Sequence, residues 1–165
     1  MQLLRHAKKS PAEACAEAIL ETLPRLNAIL RPQWRRRHPA DLIPLQFSAL
    51  GCVSVHAGLS LSGLTEYLGL SLSATSRLVD VLVKRGYLTR ETCPQDRRRA
   101  QLSVTERGAA ALAAAKQVVQ EELSRALAPL SAGQQQQVIE VMQVLGQALQ
   151  VPPANVPSQE EKLCP

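Results

Sequence analysis

Between Leu59 and Thr105 the chain punctuates itself in an order that few folds accommodate. A short apolar run ends at a glycine, a second amphipathic run ends at another glycine, and two β-prone segments follow around an arginine-rich tip. The segments are LSLSGLTEYLGLS, LSATSRLVDVLVKRGYLTR, ETCPQDRRRAQLS and VTERG. Ser60 or Ser62 can cap a short helix that reaches Leu68, and Gly69 supplies a left-handed stop. Ser71 caps the next helix, which runs through Arg85 to a stop at Gly86. Helical periodicity puts Leu78, Val81 and Leu82 on its inner side, with Leu72 and Ala74 at its start. It puts Ser73, Ser76, Arg77, Asp80 and Lys84 on its outer side. Tyr87 to Glu91 and Ala100 to Val104 read as strands joined by CPQDRRR, while Leu59 to Leu61 offers at most a one-bridge strand. The outer helix face is small and polar toward its N-terminus, as a helix that enters a groove needs to be.

The flanks are helical. Aromatic residues make up only 2% of the 165 residues against 45% hydrophobic, so the core must be built from Leu, Val and Ala. Alanine and leucine also favour helix. Ser10 or Pro11 opens a first helix with Cys15, Ala18, Ile19, Leu23, Leu26 and Leu30 at helical spacing, and Pro24 should kink or divide it. The basic connector RPQWRRRHPAD follows. Pro44 then starts PLQFSALGCVSVHAG, which Gly58 ends. Thr105 caps a long alanine-rich helix reaching about Leu127. Pro129 and Ser131 mark a break, and a last helix carries Val138, Val141, Met142, Leu145 and Leu149 along one side. Residues 1–10 and the proline-rich tail 151–165 read as flexible.

Charge and chemistry narrow the function. The formal charge of +5 favours a polyanionic partner, and its distribution is more telling than its sign. Residues 77–107 hold eight Lys or Arg against four acids, and Arg25 to Arg37 holds five arginines and no acid. No stretch is apolar enough to cross a bilayer, and the start lacks the apolar core of a secretory signal, so a cytoplasmic protein is expected. Cys15, Cys52, Cys93 and Cys164 are scattered without metal-ligand spacing, and disulfide stapling is not expected in a reducing compartment. His38 and His56 are lone histidines; His56 reads as a packing or capping residue. No set of acid, histidine and nucleophile stands at useful spacing, so neither an enzyme nor a bound cofactor or metal is expected.

The order of elements and the residues at their joints closely resemble the MarR family of bacterial winged-helix regulators. The match runs from about Leu42 to Ala111. It is strongest at Ser76-Arg77-Leu78-Val79-Asp80, Leu82, Lys84-Arg85-Gly86-Tyr87-Leu88 and Arg90. It continues at Pro94, Asp96-Arg97-Arg98, Leu102, Thr105-Glu106 and Gly108. Gly63 departs from the family, which often has a better helix former there; the cost is roughly 1 kcal/mol at most. The resemblance implies a mainly α fold with a small β wing: a winged helix-turn-helix at 42–105, flanked by dimerisation helices at 11–38 and 106–150. It further implies a homodimer that places one helix per subunit in successive major grooves of double-stranded DNA, with wings in the flanking minor grooves. Such a protein is a transcriptional regulator, most often a repressor of a palindromic operator, and in relatives a phenolic or other small lipophilic effector relieves it.

The same physics applies without the family. Arg77 can donate to guanine O6 and N7, and Ser71, Ser73, Thr75 and Ser76 can bond bases or phosphates. Arg97, Arg98 and Arg99 suit a narrow minor groove, and Arg97, Arg99, Lys84 and Arg85 can also contact phosphates, adding salt-dependent affinity without much specificity. Regular strand alternation prevents all three wing arginines from pointing one way, so Asp96 and Arg98 would brace the tip and leave Arg97 as probe. Blander alternatives stand beside these. Arg77 can pair with Asp80, Lys84 can serve solubility, the wing can be a solvated hairpin, and Arg35 to Arg37 fit the dimer region better than DNA. Two further readings stay open: a redox-responsive regulator using Cys15, and a protein-interaction module without DNA binding. Cys15 lies in an apolar pattern that favours a buried, inert thiol over a sensor; Cys52 reads as core and Cys93 as exposed at the wing's base.

Overall fold

The computed structural model describes residues 9–36, 42–93 and 96–149, and gives the backbone alone for Gln33, Arg35, Arg36, residues 92–93 and residues 96–100. Six helices and a three-stranded antiparallel sheet are described. Helices α1 (Pro11–Arg36) and α2 (Pro44–Val55) lead to strand β1 (Leu59–Ser60). Helices α3 (Leu61–Leu68) and α4 (Leu72–Lys84) precede strands β2 (Leu88–Cys93) and β3 (Asp96–Val104). Helices α5 (Glu106–Leu127) and α6 (Ala132–Ala148) complete the order. This is the mainly helical, winged arrangement expected above. The ends expected to be flexible, the connector residues Arg37 and His38, and Cys164 lie outside the described residues, apart from Lys9 and Ser10.

Local chemistry explains the boundaries. The hydroxyls of Ser60, Ser71, Thr105 and Ser131 accept the first-turn amides of Gly63, Ala74, Gly108 and Gln134, respectively. Each bond satisfies an amide that the helix leaves without an internal partner. Gly69 takes a left-handed φ of 62° to end α3. At the end of α4, Gly86 (φ 70°) gives its amide to Val83 and Tyr87 gives its amide to Leu82, both at 2.9 Å. That pair of bonds is a Schellman stop. Ser60 also pairs with Gln101 across β1 and β3, so one residue starts α3 and holds the sheet edge.

The core is aliphatic. Leu42, Leu50, Leu59, Leu64, Leu82, Leu88 and Leu102 are fully buried, with Val53 and Val79 beside them. Each buried leucine contributes about 1.5–3 kcal/mol relative to exposure. Ala111, Leu112 and Ala115 extend this core into α5, which packs on α2 and α1. Trp34 near the end of α1 meets Phe47 of α2 edge-on, with ring centroids 5.1 Å apart.

Three expectations need correcting. Helix α1 is not divided at Pro24; it runs unbroken from Pro11 to Arg36, with Pro24 and Pro32 both inside it. The amide that Pro24 lacks would have bonded Leu20, and this stretch of α1 is exposed, so water can satisfy the freed carbonyl. The inner stripe of α4 is Thr75, Leu78, Val79 and Leu82, whereas Leu72 and Val81 are exposed. Those four positions follow i, i+3, i+4 and i+7. The strands are also longer than expected, so the wing arginines belong to β3 rather than to the loop.

Candidate nucleic-acid interface

Helix α4 presents two unlike faces. Its buried stripe fixes it against the core, and its opposite face carries Ser71 at the cap, then Ser73, Arg77, Asp80 and Lys84, all exposed, with Ser76 half-buried. The Ser71 and Ser73 hydroxyls stand 3.2 Å apart. The positive end of the helix dipole and this small polar face occupy the same end of α4, a combination that suits close approach to an anionic backbone.

Thr75 does not belong to that surface. It is fully buried, and its hydroxyl donates to the Ser71 carbonyl at 3.1 Å. The sequence hid this because threonine carries both a hydroxyl and a methyl, and here the methyl side decides its placement. Arg85 is a second correction, since its guanidinium is turned inward. It donates to Gln46 Oε1 at 3.2 Å and lies over the Tyr87 ring at 5.3 Å from the centroid.

Arg77 is exposed, and Asp80 has a different neighbour from the one the sequence suggested. Arg90 on β2 approaches Asp80 at 3.9 Å, a pair that links α4 to the sheet. Both groups are well exposed, and such pairs contribute about 0–1 kcal/mol. The signal for it lay in strand pairing, which helical spacing does not encode.

In the wing, β3 pairs Leu88↔Val104 through Thr92↔Ala100 in regular antiparallel register, and Cys93 then pairs with Asp96. Arg97, Arg98 and Arg99 are therefore accommodated between consecutive pairs as a bulge. A bulge interrupts the two-residue alternation of a regular strand at these three arginines. The side chains of Asp96, Arg97, Arg98, Arg99 and Cys93 lie outside the described residues.

The remaining candidates fall elsewhere. Cys15 is exposed on α1 rather than buried, and one helical turn away stand Pro11, Ala12, Ala18 and Ile19. Cys52 is buried in α2, and desolvation pushes its thiol up to about 11. His56 caps the end of α2, its amide bonded to the Cys52 carbonyl. Among the described residues no cluster of His, Cys, Asp or Glu could hold a metal ion, and no helix is long and apolar enough to cross a membrane.

Away from this face the molecule is apolar where a folded subunit should not be. Ile19, Leu20, Leu23, Leu26 and Ile29 of α1 are exposed, as are Val138, Ile139, Val141, Met142 and Val144 of α6. No described residue of α6 is buried. A groove of about 270 Å³ between α5 and α6 is lined by Ser124, Leu127, Leu130, Gln135, Val138 and Ile139, with no wall from the winged unit.

Comparison with known proteins agrees with this architecture. A family model described as MarR family matches residues 40–99. The uncharacterized HTH-type transcriptional regulator YfiV of Bacillus subtilis (strain 168) is 31% identical over 110 residues, which span 67% of this chain and 69% of that protein. Among solved structures, RV1404 from Mycobacterium tuberculosis superposes with a TM-score of 0.70 at 23% identity, over 86% of this chain and 95% of that one; at that identity the likeness concerns the fold. The MarR family protein RV2887 of the same organism, crystallised in complex with p-aminosalicylic acid, reaches 0.61 at 28% identity, over 76% of this chain and 96% of that one. With a helix-turn-helix and wing of this order, and a relative that is itself a transcriptional regulator, this chain belongs to the MarR family and is a transcriptional regulator rather than an enzyme.

Proposed function

We propose that this regulator is a homodimer that binds double-stranded DNA sequence-specifically at a palindromic operator, represses from it, and is released by a small lipophilic or phenolic effector. The observation that carries the reading is the exposed outer face of α4, polar and small at its N-terminal end and backed by a fully apolar stripe apart from Thr75. A helix so mounted can enter a major groove. Ser71, Ser73, Ser76 and Arg77 are its reading residues, and Lys84 serves phosphate. Arg97, Arg98 and Arg99 reach the minor groove beside it, with Asp96 bracing Arg98.

The dimer follows from surface energetics. The exposed leucines, isoleucines and valines of α1 and α6 form faces that one subunit leaves in water. A second copy covers them and supplies a second reading helix related by two-fold symmetry. The effector class is supported by RV2887, which binds p-aminosalicylic and salicylic acids in its crystals. In this chain the effector lies between the helical arm and the winged unit and changes the spacing of the two reading helices.

The test is a footprint on DNA upstream of the protein's own gene, with and without salicylate. Protection of two half-sites that weakens with salicylate is expected. No retention of duplex fragments, even at low salt, sinks the proposal and leaves a protein-interaction module. The exposure of Cys15 favours a second reading in which oxidation is the signal. Release of DNA by mild peroxide that a Cys15→Ser variant abolishes would select it; release that persists in the variant removes Cys15 as the switch.

A further inference from the structure

The end of the reading helix is tied directly to the start of the arm helix. The Tyr87 carbonyl accepts the Thr105 amide at 3.1 Å, and the Thr105 hydroxyl donates to the Gly86 carbonyl at 2.6 Å. The same hydroxyl accepts the Gly108 amide at 3.0 Å, so one oxygen caps α5 and fastens it to the stop of α4. The approach is close enough that a Cβ on Gly108 would stand 2.1 Å from the Tyr87 carbonyl oxygen. Only glycine lets the two backbones meet at this distance.

Side chains complete the joint. The Tyr87 ring is buried, and the guanidiniums of Arg85 and Arg107 lie over it at 5.3 and 5.5 Å from its centroid. Arg85 comes from the end of α4 and Arg107 from the first turn of α5, so one ring holds a cation from each helix. Arg85 also bonds Gln46, which brings α2 into the same contact.

We propose that Tyr87, Thr105, Arg107 and Gly108 are positioning residues for DNA binding: they fix the angle at which α5 carries α4, and thereby the distance between the two reading helices of the dimer. None of them touches DNA. The inference rests on the DNA-reading proposal above, because a distance between reading helices matters only if both are used. A loosened joint leaves each reading face intact and blurs the spacing at which the pair fits a duplex.

The experiment uses the full chain and duplexes selected from a random pool. Two copies of the selected half-site are placed at separations changed one base pair at a time, and a single half-site serves as control. The variants are Thr105→Val, which keeps shape and loses the hydroxyl, Thr105→Ser, which keeps the hydroxyl, and Arg107→Gln. Arg107 is exposed, so that variant folds even if Thr105→Val is damaged. Thermal unfolding measures the folded fraction of each. The unaltered chain is expected to prefer one separation, and Thr105→Val and Arg107→Gln to reduce that preference roughly tenfold. Single-site affinity should not change, and Thr105→Ser should behave as the unaltered chain. Variants that bind every separation more weakly in an unchanged order would make the joint merely structural and overturn it. Failure of the unaltered chain to hold any duplex would instead overturn the DNA-reading proposal.

Discussion

At the scale of single residues, the outer face of α4 and its buried stripe should respond to substitution in opposite ways. Arg77→Ala is expected to weaken binding to the preferred sequence by about 1–3 kcal/mol while sparing unrelated duplexes, so discrimination falls, as competition binding would measure. Thr75→Val should do the reverse. It removes a hydroxyl that bonds only the Ser71 carbonyl among the partners described, and costs roughly 1 kcal/mol of stability in urea titration with sequence preference intact. Cys52 gives a pH prediction. Burial raises its thiol from 9.0 to about 11, so the folded state holds the proton more tightly than the unfolded chain. The resulting stability is fully present below pH 9 and lost as pH rises toward 11. Denaturant midpoints should fall across that window, and less so in a Cys52→Ala variant compared with its own value at pH 8.

At the scale of elements, what the sequence made legible was whatever local chemistry decides. The caps at Ser71 and Thr105 and the stops at Gly69 and Gly86 are each read from a few neighbouring residues, and each stands where expected. Features set by distant partners were not legible. Val81 and Thr75 exchange the roles that hydropathy assigns them, because the packing of α4 against α3 and the sheet fixes its rotation. The bulge at Arg97 to Arg99 depends on which residue of β2 each residue of β3 meets, and no local pattern encodes that. Pro24 is instructive: of the two outcomes expected of a proline in a helix interior, a kink or a division, division does not occur, because an exposed helix can forgo one amide bond to water. Pro24→Ala restores that bond to the Leu20 carbonyl. It should stabilise the chain by about 1–3 kcal/mol in urea titration, an effect that a helix divided at this point would not give.

At the scale of the whole molecule, association and charge set the behaviour. Val141 and Val144 are 63% and 67% exposed in one subunit, so carboxylates there would leave the subunit's own fold undisturbed. A Val141→Asp, Val144→Asp double variant is expected to self-associate at least roughly a hundredfold more weakly in sedimentation, because burying those charges between copies costs several kcal/mol. Binding to paired half-sites should collapse toward that of a single site. Arg97→Ala should lower the slope of log affinity against log salt by about 1, the mark of one lost phosphate contact. The edge-on contact between Trp34 and Phe47 has a practical consequence. The chain holds a single tryptophan, and it sits where the first helix of the arm meets the first helix of the winged unit. Selectively excited tryptophan emission therefore comes from one indole at that seam, and a change in it on adding an inducer or an operator fragment would give an optical gauge of the two parts shifting against each other, without any attached dye.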